Sequence, residues 1–259
     1  MAKALIGGLK INGFSMPAIS VIEPDPKKRL ALNEEFGVHV TEQLPSVANA
    51  EVIVLAVKPQ HLRDVAIFLG SLLQKQLIIS VAAGVRTTDL ARWLGGYESI
   101  VRVMPNTPAQ IQRGMTALYA MPQVTSKQHD VAETIMAAVG ATLWLDEESK
   151  LDAVTALSGS GPAYVFYFIE AMLQAGMELG LSETESATLS LHTFIGASEL
   201  AAQSAEPPQT LRAQVTSKGG TTESAMHALE SASVKSAIIK AVYAAAKRSN
   251  ELGDSLGKD

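Results

Sequence analysis

From Thr216 to Thr222 the chain reads Thr-Ser-Lys-Gly-Gly-Thr-Thr, two adjacent glycines among four hydroxyl residues just ahead of a helical pattern. Glycine backbone can turn its N–H groups around an anion while the hydroxyls add side-chain donors, so the segment suits a carboxylate. A second glycine-rich stretch, Ser158-Gly159-Ser160-Gly161-Pro162, reads as a helix opening: Ser160 suits a cap and Pro162 the first turn. Free N–H groups at such a start favour an anion, although a plain helix start explains the residues equally well. Gly7-Gly8 lies inside a helical pattern and reads as a site of close packing. Four further loops join small residues or prolines to polar groups: Glu23 to Pro26, Val57-Lys58-Pro59-Gln60, Ala82-Ala83-Gly84 and Met104-Pro105-Asn106-Thr107-Pro108. Each alone is turn punctuation. Each also follows an apolar run, and ligands of open parallel sheets bind beyond the carboxyl ends of the strands, so together they suggest a nucleotide crevice.

The elements that position these loops alternate through the first half. Ala18 to Ile22 is a β-branched run ending at Glu23-Pro24-Asp25-Pro26, where Asp25 can cap a helix that continues from Lys27 to Phe36 before Gly37. Glu51 to Val57 is almost continuously apolar, the pattern of a strand covered on both faces of a parallel sheet. Strands at Leu77 to Ala83, Ile100 to Met104, Ala117 to Ala120 and Thr142 to Leu145, with helices near 88–94 and 126–139, predict a doubly wound α/β domain over residues 1–147. From 148 to 259 the pattern is helical only: 152–157, 162–179, 183–203, 223–229 and 234–252, with Ser182 and Glu185 forming a capping box. Alanine-rich stretches such as Ala237 to Ala246 carry more apolar surface than so short a domain covers by itself, so a homo-oligomer is expected.

Composition excludes other classes. The 259 residues are 47% hydrophobic and 18% charged, which a disordered chain is not. A net charge of −5 gives no general attraction to nucleic acid or anionic membranes, so neither partner is expected. There is no cysteine, hence no thiolate nucleophile or Cys-ligated metal, and the five histidines never fall at helical ligand spacing, so no metal site is expected. The apolar runs are shorter than the roughly 18 residues of a membrane span, and Lys3 with Ala4 to Leu9 lacks the length and cleavage site of a signal peptide. A cytoplasmic protein is the expectation.

Val57-Lys58-Pro59, Met-Pro-Asn-Thr-Pro at 104–108, Leu-Ser-Gly-Ser-Gly-Pro-Ala-Tyr at 157–164 and Thr-Ser-Lys-Gly-Gly-Thr-Thr at 216–222 follow one another in an order and spacing that resembles pyrroline-5-carboxylate reductase. The resemblance runs almost end to end. It implies a Rossmann domain followed by a helical domain that dimerises, in places with further assembly of dimers. The implied reaction is reduction of the C=N bond of 1-pyrroline-5-carboxylate to L-proline by NADPH or NADH, the last step of proline synthesis. Carried over by position, Val57, Lys58, Ala83 and Asn106 line the cofactor cleft, Met104 and Pro105 lie near the nicotinamide, and Gln214 approaches the cofactor. Ser217, Gly219, Gly220, Thr221 and Thr222 hold the substrate, with Thr222 hydrogen-bonded to the ring nitrogen as an orienting and proton-relaying group; capping of the following helix at Glu223 is its plainer role. Hydride transfer needs the donor carbon about 3 to 3.5 Å from the imine carbon, so positioning carries most of the catalysis.

This sequence departs from the resembled pattern in two places. Lys218 stands where proline is more usual. The first strand and its G-x-G loop should precede Ala2-Lys3-Ala4, so the expected sheet lacks its central strand, leaving two unpaired strand edges and no main phosphate grip. A start placed at an internal methionine accounts for this, and a genuine truncation is the alternative. Glu23 ends the second strand of the resembled fold, where a carboxylate binds ribose hydroxyls and favours NADH; Lys27, Lys28 and Arg29 could instead receive a 2′-phosphate, and the preference stays open. Two other readings compete. A β-hydroxyacid dehydrogenase needs a lysine in the first long helix of the second domain, and Pro162 to Leu179 has none. A truncated, non-catalytic dimeric relic that binds a metabolite is the other.

Overall fold

A computed structural model describes residues 1–258. The first helix, α1 (Ala2–Ile11), buries Leu5, Ile6, Gly8 and Leu9, the spacing of a single helical stripe. Then come β1 (Ser20–Ile22), α2 (Pro26–Phe36) and β2 (His39–Thr41), with β1 and β2 paired in parallel. Asp25 caps α2 as its sequence suggests, accepting from the N–H groups of Lys27 at 2.8 Å and Lys28 at 3.3 Å, and Gly37 closes the helix at φ +76°.

A separate five-stranded sheet follows in the order β3 (Val52–Leu55), β4 (Leu77–Ser80), β5 (Ile100–Met104), β6 (Gly114–Ala120) and β7 (Gly140–Trp144). Its strands alternate with α3 (Pro59–Gly70), α4 (Thr87–Trp93) and α5 (Ser126–Ala137). Side chains of β4 and β5 point alternately to the two faces. Ile78 and Ile100 meet Leu62, Leu69 and Leu90 of α3 and α4, whereas Ile79 and Val101 meet Leu5 of α1 and Met136 of α5. Helices therefore cover both faces, and every residue of β4 is buried.

Two expectations change. The strand after β5 runs antiparallel to it, with Met104 opposite Ala117, so the sheet is mixed. Strand β3 is buried only at Ile53 and Leu55, because it lies at the edge of its sheet, where cover is incomplete. Strands β1 and β3 each pair along one side. Helix α1 ties the two sheets together: Leu5 and Leu9 join the core of the larger sheet while Ile6 packs with Leu32, Phe36 and Val38.

The remainder is helical: α6 (Lys150–Val154), a π-helical turn (Thr155–Gly159), α7 (Gly161–Glu178), α8 (Glu183–Gln203), α9 (Pro208–Gln214), α10 (Thr221–Ser231) and α11 (Val234–Leu256). Ser182 and Glu185 form the expected capping box, and the Ser182 hydroxyl holds the Glu185 carboxyl below its ordinary range. Packing divides the chain into two compact units, residues 1–160 with the chain from Ala245 onward, and Gly161–Ala244. Helix α6 and the π turn thus pack with the first unit, although the sequence reading placed them beyond a boundary at 147/148. Within the second unit α7 buries no residue and α8 only Ser186 and Ser190. Large apolar side chains stand exposed there instead, Phe166 at 63% and Tyr243 at 74%.

The paired glycines of α1 separate two effects. A Cβ at Gly7 would rest 3.5 Å from Phe36, ordinary contact, whereas one at Gly8 would collide with the Ala138 carbonyl. Gly7→Ala should stabilise the fold by about 0.5–1 kcal/mol through helix propensity. Gly8→Ala should destabilise it by about 1–3 kcal/mol through overpacking. Urea midpoints of the two variants, expected on opposite sides of the parent, check this pair.

Candidate active site

Strands β3, β4 and β5 are parallel neighbours, so the loops that leave their carboxyl ends lie side by side. Val57 and Lys58 follow β3, Lys58 leading directly into α3; Ala83 follows β4; Met104, Pro105 and Asn106 end β5 and lead into a short 3-10 turn at Thr107–Ile111. Gly84 takes a left-handed φ of +78°, and a Cβ there would press on Leu256 at 3.2 Å and Leu252 at 3.4 Å. Asn106 is held at both ends of its amide. Its Oδ1 accepts the Met115 N–H at 2.9 Å and its Nδ2 donates to Ser158 Oγ at 3.2 Å.

Ser158 belongs to the π turn, and here the sequence reading is corrected. Residues 150–178 form one nearly continuous helical run: Ser160 is right-handed at φ −85° and its N–H bonds to the Thr155 carbonyl five residues back. Helix α7 opens at Gly161, directly after a Ser160 whose backbone is helical and not the extended one of a cap. The inserted residue turns Ser158 toward Asn106 and sets Gly159 against Met104, a rearrangement for which π turns are known.

A buried ion pair supports these loops. Glu148 accepts from Arg102 of β5 at 2.8 Å, from the Thr87 N–H at 2.7 Å and from the Thr87 hydroxyl at 2.6 Å, so one carboxylate neutralises the Arg102 charge and caps α4, which has no cap of its own. The end of α11 packs on the same unit: Asp254 pairs with Arg86 at 2.7 Å and Ser249 donates to Asp152 at 2.6 Å. Glu23 lies after β1, on the smaller sheet, where its carboxylate accepts the Asp25 N–H at 3.0 Å. Arg29 is committed to Glu42 at 2.9 Å and to the Glu23 and Pro24 carbonyls, both at 2.8 Å.

Gln214, Ser217, Gly219, Gly220, Thr221 and Thr222 all fall in the second unit, between the end of α9 and the start of α10. Gly219 has a φ of +73°, and a Cβ on Gly220 would come 2.6 Å from Ser217 Oγ. Gly220 caps α10 without a side-chain bond, and the N–H groups of Thr221, Thr222 and Glu223 have no helical partner by their position. Thr222 lies inside the helix and does not cap it, so that plainer role falls away. The Glu223 carboxylate accepts the Gly219 N–H at 2.8 Å.

A family model described as pyrroline-5-carboxylate reductase dimerisation matches residues 148–252, and one described as NADP oxidoreductase, coenzyme F420-dependent, matches residues 1–84. The chain is 43% identical over 260 residues to the pyrroline-5-carboxylate reductase of Pseudomonas aeruginosa, covering 100% of this chain and 95% of that one. This chain belongs to the pyrroline-5-carboxylate reductase family. Among solved structures, that of a pyrroline-5-carboxylate reductase from Coxiella burnetii is 40% identical with a TM-score of 0.91, covering 97% of this chain and 94% of that one. The Plasmodium falciparum pyrroline carboxylate reductase with NADP bound is 30% identical with a TM-score of 0.87, again covering 97% and 94%.

As in that family, the first unit is Rossmann-like and the second helical. The strand-end residues that could border a dinucleotide comprise three adjacent loops, an apolar Met104 and an amide locked in orientation at the end of β5. The sequence missed Ser158 and Glu148. The i→i+5 turn leaves no mark in a 3.6-residue pattern, and Glu148 reads as one of several acids near 146–148.

The side chain of Arg102 is only 7% exposed, so losing its partner strands a charge. Glu148→Ala should lower stability by about 3–5 kcal/mol, and an Arg102→Met, Glu148→Leu double variant should recover most of it. Thermal unfolding of the three proteins measures this; a single variant as stable as the parent refutes it.

Proposed function

We propose that this chain reduces 1-pyrroline-5-carboxylate to L-proline. The observation that carries the reading is membership of the reductase family along the whole chain. Nothing in those matches favours the non-catalytic relic. Residues 1–147 carry the dinucleotide site and 148–259 the substrate loop and the dimer contacts. NADPH or NADH supplies the hydride when bound.

The chain's part is to position and to move a proton. Val57, Lys58, Ala83, Met104, Pro105 and Asn106 border the nicotinamide end, Glu23 faces the ribose, and Gln214 meets the cofactor from the helical side. The uncapped N–H groups of α10, with the hydroxyls of Ser217 and Thr221, receive the substrate carboxylate. Gly219 and Gly220 let the backbone make that turn. The imine carbon gains a hydride and the ring nitrogen a proton, giving the secondary amine. The Thr222 hydroxyl is too weak an acid to protonate nitrogen alone, so it orients the nitrogen and passes a proton from water.

The exposed apolar faces of α7, α8 and α11 make the protein a homodimer, with larger assemblies built from dimers. A cytoplasmic location fits this metabolic role, and among the described residues no helix is long and apolar enough to cross a membrane.

Proline formation from 1-pyrroline-5-carboxylate, followed with the loss of reduced-nicotinamide absorbance, tests the reaction; absence of both products sinks it. Thr222→Ala should cut turnover about tenfold to a hundredfold with dinucleotide affinity unchanged. Unaltered steady-state kinetics would remove Thr222 from the mechanism. Light scattering should give twice the chain mass or a multiple of that, and Ile195→Asp on the exposed face of α8 should shift it to the single-chain mass.

A further inference from the structure

Ser158 ends a hydrogen-bond chain that runs in one direction only. The Met115 N–H can only donate, so the Asn106 atom it meets is the amide oxygen. The amide nitrogen therefore faces Ser158, and it too can only donate. Ser158 Oγ is the acceptor, and its own proton must point elsewhere. Thr155, on the same turn, gives its hydroxyl proton to the Leu151 carbonyl, as helical hydroxyls commonly do. Ser158 does not: among the described residues its one hydrogen bond is the one it accepts from Asn106. The hydroxyl is half-buried at the carboxyl end of β5, so its proton can be given to solvent or to a ligand that enters there.

We propose that Ser158 donates this hydrogen bond to the carboxamide oxygen of the reduced nicotinamide, and so sets the rotation of the ring. The inference rests on the reductase reading. The carboxamide carbonyl is the strong neutral acceptor on that ring, and it sits on the carbon next to the one that gives up hydride. Holding it fixes where the hydride points. Beside Ser158 the Met104 side chain packs on Gly159, where a Cβ would come 2.5 Å from the methionine Cε. Ser158 is a positioning residue. The substrate carboxylate already has its donors in the loop at 216–222.

Calorimetric titration of NADH into the unsubstituted protein, Ser158→Ala and Ser158→Thr tests this, repeated with the thionicotinamide analogue, whose sulfur accepts hydrogen bonds poorly. Ser158→Ala should weaken NADH about fivefold, and Ser158→Thr, which keeps the hydroxyl, should restore it. The unsubstituted protein should bind the analogue about fivefold more weakly than NADH, and Ser158→Ala should add no further loss. Asn106→Asp should mimic Ser158→Ala, since a carboxylate there draws the serine proton inward, and the double variant should be no worse than either. Equal NADH affinity for Ser158→Ala and the parent overturns the proposal. A loss of the same size with the analogue also overturns it, as that marks a general packing defect. Failure of the unsubstituted protein to bind either dinucleotide overturns the reductase reading, and this inference with it.

Discussion

Parallel pairing of β3, β4 and β5 obliges each strand to leave the sheet at the same edge, and the site depends on that constraint. The strands are too buried to carry polar chemistry themselves: β4 is covered on both faces and β5 along all but its last residue. Whatever a ligand meets must come from the residues just past them. Strand β6 then returns antiparallel to β5, bringing the start of one strand beside the end of the other. That reversal delivers the Met115 N–H to Asn106. A parallel β6 would start at the far edge of the sheet and leave the amide free to turn.

The two units meet the hydrophobic requirement differently. In the first, apolar residues from both sides of each strand disappear beneath helices, and α1 spans the two sheets with one stripe of side chains. In the second, helices as long as α7 and α8 bury almost nothing within one chain. Helices held only by each other's edges have little stability of their own, so the second unit's stability is tied to what covers those faces, and through mass action to protein concentration. Helix α11 belongs to both units in turn. Its last turns, through Asp254 and Leu256, fix the connection from β4 to α4 at Arg86 and Gly84.

Much of this architecture is legible in local chemistry. Asp25 and Gly37 delimit α2, and the Ser182–Glu185 box starts a helix whose limits, Glu183 to Gln203, match the periodic pattern. The motifs that resemble the reductase family name the loops that the sheet brings together. Other features leave no such trace. The direction of β6 is absent from its composition, because alternation along a strand is the same whichever way it runs. Strand β2 has three residues, too few for periodicity to register. Ser160-Gly161-Pro162 has every residue of a helix start and α7 does open at Gly161, but nothing in the composition shows the π turn that ends just before it at Gly159.

The loop from Thr216 to Thr222 shows which of its residues fix its shape. Gly219 adopts a left-handed backbone, and a Cβ on Gly220 would push the Ser217 hydroxyl aside and crowd the Ser217 carbonyl at 3.1 Å. The Gly220 N–H closes the turn on the Ser217 carbonyl at 3.0 Å, and the Glu223 carboxylate holds Gly219 from the helix side. None of these contacts involves the side chain at 218, so Lys218 in place of proline leaves the turn intact. Proline there would restrict the unfolded chain rather than add a contact to the folded one. The turn that presents α10 is therefore a property of two glycines, a serine and one helical carboxylate. The last of these also places a negative charge beside the first turn of α10, where it takes up the Gly219 N–H.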